Sequence, residues 1–348
     1  MPASRITQAD IAKKVGVSQS TVSQVLSDMV TTTISPSTCE RILRVAKEMG
    51  YHRHAAPQHS SRKKTKNIGF LIPEGYYTEH LMVYIRRLHA GVLEQLDAKG
   101  FHLIQSIIHP DEPLPSLIHQ HKVDGVIIED RCDSELVRRI QEFVPVMLLN
   151  FNLDFVDVDS FMPDNVGGVW QAMQYLHGLG HRRIAIFGME PTQIHHAERI
   201  SSYRRSQEML NLVVDEAYDG MCEPQRHGDP DEVDDFATQT LLRWRALPNP
   251  PTAVMTLTDG YALFLLRAAR SLGINVPQDL SIVGFDNTPM CEHTEPRLTS
   301  VDQPMEQMGQ AACRTLMSRL EGTDMPIQKL RLGVKLIERD STGPAPCE

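Results

Sequence analysis

Residues 6–27 read ITQADIAKKVGVSQSTVSQVLS. Ile11, Ala12, Val15, Val22, Val25 and Leu26 recur at three- and four-residue steps, which gives one buried stripe on each of two short helices. Between them lies Gly16-Val17-Ser18. Gly16 allows a turn with positive φ, Val17 plugs the angle between the helices, and Ser18 is a good N-cap for the second. Thr7 caps the first helix, with Asp10 three residues on at the positive end of its dipole. The pattern is that of a helix-turn-helix whose second helix runs from Gln19 to Ser27. The outward face of that helix is Gln19, Ser20, Ser23 and Gln24, small or amide side chains suited to a groove, where a merely solvated face would more often carry Glu and Lys.

Outward from this stretch, Thr31-Thr32-Thr33 breaks helicity and Ser35-Pro36 starts a third helix, Ser as N-cap and Pro at the first helical position. Ile42, Leu43, Val45, Ala46 and Met49 follow at helical spacing, and Gly50 stops it. Residues 1–51 thus form a small three-helix domain. Residues 52–66, HRHAAPQHSSRKKTK within a polar, basic stretch, read as a linker. The charge divides at the same place. Residues 1–66 hold eleven Lys/Arg against four Asp/Glu, whereas the remainder holds 24 against 40. A basic head on an acidic body is the footprint of a head that meets phosphate while the body stays off it.

From residue 67 short apolar strands alternate with helices. NIGFLIP (67–73), FHLIQSII (101–108), VDGVIIED (123–130), VPVMLLNF (144–151), RRIAIFG (182–188), TAVMTLT (252–258) and LSIVGFD (280–286) are the strands. A weak strand near 217–221 and a final one at 329–337 complete them. Such alternation means parallel sheets covered on both faces, and so many strands suit two sheets in two lobes. Ligands bind beyond the carboxyl ends of strands in such sheets. That points to Pro73–Thr78, Glu129–Arg131, Asn150–Asn152, Met189–Arg199, Thr258–Tyr261 and Asp286–Thr288.

These motifs, in this order, resemble the LacI/GalR transcriptional regulators over nearly the whole chain. The resemblance is carried by D-I-A-K-K-V-G-V-S-x-x-T-V-S-x-V-L-S (10–27), M-G-Y (49–51), V-D-G-V-I-I (123–128), D-N-x-x-G (164–168) and L-G-H-R-R-I-A-I-F-G (179–188). T-A-V-M-T-L-T-D (252–259), V-P-Q-D-L-S-I-V-G-F-D (276–286) and L-T-S-V-D-Q-P (298–304) complete it. It implies an α/β fold class: a small all-α helix-turn-helix domain followed by a two-lobed, periplasmic-binding-protein-like (type I) body with parallel sheets. The body would span 67–340, with lobe 1 at 67–162 plus 296–326, lobe 2 at 163–295 plus 327–340, and a tail at 341–348. It also implies a homodimer on a roughly palindromic DNA operator, acting as a repressor controlled by a small effector, with no cofactor and a cytoplasmic location.

Carried over by position, the resemblance assigns base reading to Gln19, Ser20 and Gln24. Most members carry Arg where this chain has Gln24, and Gln suits adenine where Arg suits guanine. Thr7, Ser18, Thr21, Ser23 and Thr38 fall on phosphate-contacting positions, although capping alone would also account for Thr7, Ser18 and Thr38. The family's hinge helix wedges a Leu into the minor groove; here that position is Ser60, and Pro57 interrupts the segment. Arg62, Lys63, Lys64 and Lys66 could hold phosphate instead. Effector positions align with Arg199, Thr258, Asp259 and Asp286. Arg199 offers a fork of donors, Asp286 accepts two hydroxyls, Asp259 caps its helix, and Thr258 faces the ligand. Tyr76 and Tyr77 either stack on a sugar ring or pack in the cleft. A carbohydrate is the expected effector, ahead of a nucleoside or another non-sugar.

Other classes find less support. No 18-residue apolar run exists and the N-terminus lacks a signal-peptide block, against a membrane protein or an exported solute-binding protein. The six cysteines are scattered without a C-x-x-C pair and read as reduced thiols. His195-His196 and His52/His54/His59 lack Cys or acidic partners at metal-ligand spacing. Glu129-Asp130 are adjacent at a strand end and read as pointing apart, and no catalytic motif occurs. An activator or a corepressor-dependent regulator is the nearer alternative, since the sign of regulation lies in operator position.

Overall fold

The computed structural model of the 348-residue chain describes residues 8–26, 34–48, 64–74, 79–109, 114–189, 194–222 and 230–346. The chain divides into two compact units, residues 1–63 and 64–348. Among the expected site residues, Thr7, Arg62, Lys63, Tyr76 and Tyr77 lie outside the described residues, as do Pro57 and Ser60, and the side chain of Ser23 does too.

In the first unit α1 (Gln8–Val15), α2 (Gln19–Leu26) and α3 (Pro36–Glu48) bury one shared cluster of Ile11, Ala12, Val15, Val22, Val25, Ile42 and Val45. Gly16 adopts φ 75°, as the turn requires, and Val17 packs against the cluster. Ser18 caps α2 by accepting from the Thr21 amide (3.1 Å), and Ser35 caps α3 by accepting from the Thr38 amide (3.3 Å). Leu43, expected on the buried stripe, is half exposed, because the apolar face of α3 is narrower than the run suggests.

The second unit holds two six-stranded sheets. The first is built from β1 (Asn67–Pro73), β2 (His102–Ile108), β3 (Gly125–Glu129), β4 (Val146–Leu149), β5 (Asp159–Pro163) and β11 (Lys329–Leu332), in the order β11-β5-β4-β3-β1-β2 and parallel throughout. The second is built from β6 (Ile184–Met189), β7 (Asp219–Cys222), β8 (Ala253–Thr256), β9 (Ser281–Asp286), β10 (Thr299–Asp302) and β12 (Lys335–Ile337). Its order is β12-β10-β9-β8-β6-β7, with only β12 antiparallel. The first lobe's connecting helices are α4 (Glu79–Asp97), α5 (Ser116–His119) and α6 (Ser134–Gln141). The second lobe's are α7 (Asn165–Gly178), α8 (Ile194–Met209), α9 (Pro230–Arg245) and α10 (Asp259–Ser271). Helix α11 (Met305–Leu320) returns to pack on α4 in the first lobe.

The chain therefore crosses between lobes three times, after β5, β10 and β11. This corrects the expected division. Residues 299–302 pair in the second sheet, not the first lobe, and the single strand expected at 329–337 is two strands, one in each sheet. Strands β5 and β10 carry polar residues whose burial is satisfied by partners. Asp159 takes a two-pronged bond from Arg319 (3.0 and 3.0 Å) and one from the Gln328 amide (2.7 Å). Thr299 bonds to Ser341 and Thr342.

Helices α4 and α11 approach at backbone distance. A Cβ on Gly309 would meet the Leu88 carbonyl, and one on Gly91 would meet the Glu306 carbonyl. Gly309→Ala is therefore expected to push the helices apart and lower stability by about 1–3 kcal/mol despite the better helix propensity of Ala, read as an earlier urea midpoint.

Candidate effector cleft and DNA-reading head

The recognition surface of the head lies on α2. Gln19, Ser20 and Gln24 are exposed there, and Thr21 is half-buried. The Ser18 hydroxyl already bonds to Ser20 and Thr21 (both 2.7 Å) as well as capping the helix. Thr38 bonds to the Ser35 hydroxyl (2.9 Å) and is half-buried. Lys64 departs from expectation. It is grouped with the second unit, where its Nζ donates to the Leu320 carbonyl (3.3 Å) at the end of α11, a favourable place for a cation.

In the body the carboxyl ends of both sheets converge. Arg199, one turn into α8, is 2% exposed. Its Nε donates to Asn165 Oδ1 (3.0 Å), its Nη1 to the Leu257 carbonyl (2.5 Å), and Nη1 stands 3.5 Å from Asp286 Oδ1. The guanidinium lies 3.7 Å from the centre of the Phe285 ring, so its plane is fixed from below while its edge is committed to acceptors. Asp286 ends β9 with φ 123° and Asn287 follows at φ 49°, a pair of backbone conformations that L residues rarely adopt. Such strain persists only where surrounding contacts over-determine it, and it concentrates at functional sites. Gln303 donates to Asp286 Oδ1 (2.5 Å), and Arg87 from α4 reaches across from the first lobe to Asp302 (3.3 Å) and the Asp286 carbonyl (3.5 Å).

The capping role expected of Asp259 falls to Thr258. Thr258 is the N-cap of α10, accepting from the Tyr261 amide (3.4 Å). Asp259 is 1% exposed and caps nothing on its helix; it accepts from Ser300 Oγ (2.5 Å), the Thr288 amide (2.7 Å) and Cys291 Sγ (3.1 Å). It therefore pins β10 and the turn after β9. Thr is the better cap here because its hydroxyl precedes the first helical residue, leaving the next side chain to point into the sheet.

The first lobe presents Glu129 as the last residue of β3, Asp130 next to it and Asn150 after β4, all buried. From the second lobe, His195 and His196 at the start of α8 are buried as well, with His195 Nδ1 3.5 Å from Asp130 Oδ1 across the cleft. Both Glu129 oxygens, Asn150 Oδ1, Gln303 Oε1 and His195 Nδ1 are buried without a hydrogen-bond partner. Residue-type motifs do not find these groups, and the adjacency of Glu129 and Asp130 argues them away. The strand-end rule does include Glu129–Arg131, Asn150–Asn152 and the segment holding the two histidines.

Burial dominates the electrostatics. It drives Glu129 well above the usual carboxylate range, reinforced by Asp130, and drives His195 well below its usual value, reinforced by His196 and Arg199. Asp286 is pushed up to about 7 by burial, with Arg199 opposing and Asp259 adding to the rise. The folded state then holds a proton on Asp286 that the unfolded chain releases near pH 4. This contribution to stability is full below about pH 4 and is lost as pH rises to about 7. Asp286→Asn is expected to remove that loss. Between pH 4 and 7.5 the variant's melting temperature should fall less with pH than the wild type's, as followed by circular dichroism.

The profile of the bacterial regulatory proteins of the lacI family matches residues 7–54, and that of the periplasmic binding protein-like domain matches residues 173–342. The chain is 30% identical to the HTH-type transcriptional regulator DegA of Bacillus subtilis over 352 aligned positions, covering 98% of this chain and 99% of that protein. It is also 30% identical to the HTH-type transcriptional regulator CelR of Thermobifida fusca, covering 97% and 98%. Among solved structures, a CelR–cellobiose complex superposes with a TM-score of 0.68 at 26% identity, covering 97% of this chain and all of that one. With a three-helix head, two parallel-sheeted lobes and this similarity along its whole length, the chain belongs to the lacI family of bacterial regulatory proteins: a DNA-binding transcriptional regulator with a small-molecule effector.

Proposed function

We propose that this regulator is a dimeric repressor whose release from operator DNA is controlled by a polyhydroxylated effector held between the lobes. The observation that carries this reading is the Arg199–Asp286 pair, buried at the strand ends and braced by Asn165, Leu257, Phe285 and Gln303. A carboxyl group held by a fixed guanidinium is suited to accept ligand hydroxyls, and Glu129 and Asn150 of the first lobe bring buried acceptors without a hydrogen-bond partner. The similarity to a regulator solved with cellobiose supports a carbohydrate ligand. Arg87 ties Asp302 and the Asp286 carbonyl to the first lobe, so a ligand that alters Asp286 shifts the balance between lobe arrangements. Thermal-shift screening of the full-length chain against sugars, polyols, sugar acids and nucleosides tests this. A sugar or polyol should raise the melting temperature by mass action, and silence across those two classes would remove the reading.

On the head, Gln19, Ser20 and Gln24 read bases from α2, with Thr21 and Ser23 toward the backbone. Gln24→Arg is expected to move the preferred base at one operator position from adenine to guanine, worth about 1–3 kcal/mol of discrimination in a binding-site selection. An unchanged preference would remove Gln24 from base reading.

A further inference from the structure

The first-lobe floor of the cleft holds an acid with no protein partner. Glu129 is completely buried at the carboxyl end of β3, and neither carboxyl oxygen meets a hydrogen-bond donor. Asp130 follows it, across the cleft from His195. Asn150 Oδ1, Gln303 Oε1 and, in one neutral tautomer, His195 Nδ1 are further buried acceptors without a hydrogen-bond partner among the described residues. The nearby guanidinium groups are committed elsewhere, Arg199 to Asn165, Leu257 and Asp286, and Arg87 to Asp302 with Glu306 at 3.9 Å. A buried carboxyl group with no donor among the described residues disfavours an anion beside it. It is completed by a ligand that brings donors and a cation together.

We propose that the effector is a polyhydroxylated molecule carrying a protonated amine, and that Glu129 selects the amine. The proposal rests on the reading of the cleft as the effector site and goes further, to the ligand's charge. An ammonium has three donors and no acceptor, which matches the converging carboxyl and amide oxygens. A neutral hydroxyl can satisfy one Glu129 oxygen but forms no charge-assisted pair with it. A sugar acid or phosphate would place a second anion against a buried acid. Burial, with Asp130 beside it, raises the Glu129 carboxyl well above its usual range, and an ammonium against it would act in the opposite direction.

The test uses the full-length protein in phosphate buffer at pH 7, with glucosamine, galactosamine and mannosamine titrated beside glucose, galactose and mannose by calorimetry. At least one amino sugar is expected to bind about tenfold or more tighter than its parent, because a desolvated charge-assisted pair outweighs a neutral one. Glu129→Gln should abolish that preference, so that the variant binds the amino sugar no tighter than it binds the parent sugar. Since Gln resembles the protonated acid in shape, the variant should melt at or above the wild-type temperature, which shows that it folds. The proposal is overturned if parent sugars bind as tightly as their amines, if Glu129→Gln keeps the preference, or if no amino sugar binds. Binding of neutral sugars alone sinks the amine and leaves the effector cleft standing; binding of neither class sinks both.

Discussion

Arg199→Ala is expected to leave a repressor that binds its operator but no longer answers its effector, and to weaken the body by about 3–5 kcal/mol, the usual cost of removing one partner from a buried ion pair. The cost is high because three acceptors lose their donor together. Asn165 Oδ1, the Leu257 carbonyl and Asp286 all converge on the guanidinium, and the Phe285 ring loses the plane stacked on it. Each acceptor belongs to a different element: the start of α7, the end of β8 and the end of β9. Arg199→Lys keeps the charge without the fork, so it should recover part of the stability but little of the response. Urea unfolding followed by fluorescence reads the first effect, and operator anisotropy with and without effector reads the second. A variant that unfolds like wild type would show that the site is not braced through this residue.

The second large effect is expected in the head. Ile42→Asp places a carboxylate in the apolar cluster of Ile11, Val15, Val22 and Val25. Loss of a buried Ile alone is worth about 2–5 kcal/mol, and a desolvated charge adds to it. A three-helix domain of this size is marginal from the start, so the head should unfold and operator affinity should fall by about two orders of magnitude or more. The body has its own cores, and its ligand-induced rise in melting temperature should persist unchanged. Parallel loss of both functions would contradict the independence of the two units.

The head is the more legible part of the sequence. Its pattern is local: the stripe of Ile11, Ala12, Val15, Val22 and Val25, the positive φ at Gly16 and the caps at Ser18 and Ser35 all follow from neighbours within four residues. In the body, apolar runs announce the strands, but β5 and β10 escape because DSFMP and TSVD bury polar side chains. Their partners, Arg319 and Ser341, lie far along the chain. The lobe boundaries fail for the same reason: 329–337 is one run in sequence, yet its halves pair with β5 and β10 in different sheets. In the cleft, Arg199 and Asp286 come forward by resemblance and prove to be adjacent, whereas the helix cap expected at Asp259 is Thr258. Glu129, Asn150 and Gln303 carry no local signal beyond position at a strand end or crossover. What marks them is burial without a partner, a property of the folded chain alone.

The measurement that bears most directly on the central claim is an operator titration of full-length wild type and Asp286→Ala by fluorescence anisotropy. It would use a DNA site selected from a random pool, with and without the ligand found by thermal shift. The account predicts that ligand changes the wild-type apparent Kd at least about tenfold, a coupling of about 1.4 kcal/mol, and leaves the variant's unchanged at near wild-type affinity. An operator affinity indifferent to ligand in the wild type, or equally responsive in Asp286→Ala, would contradict it.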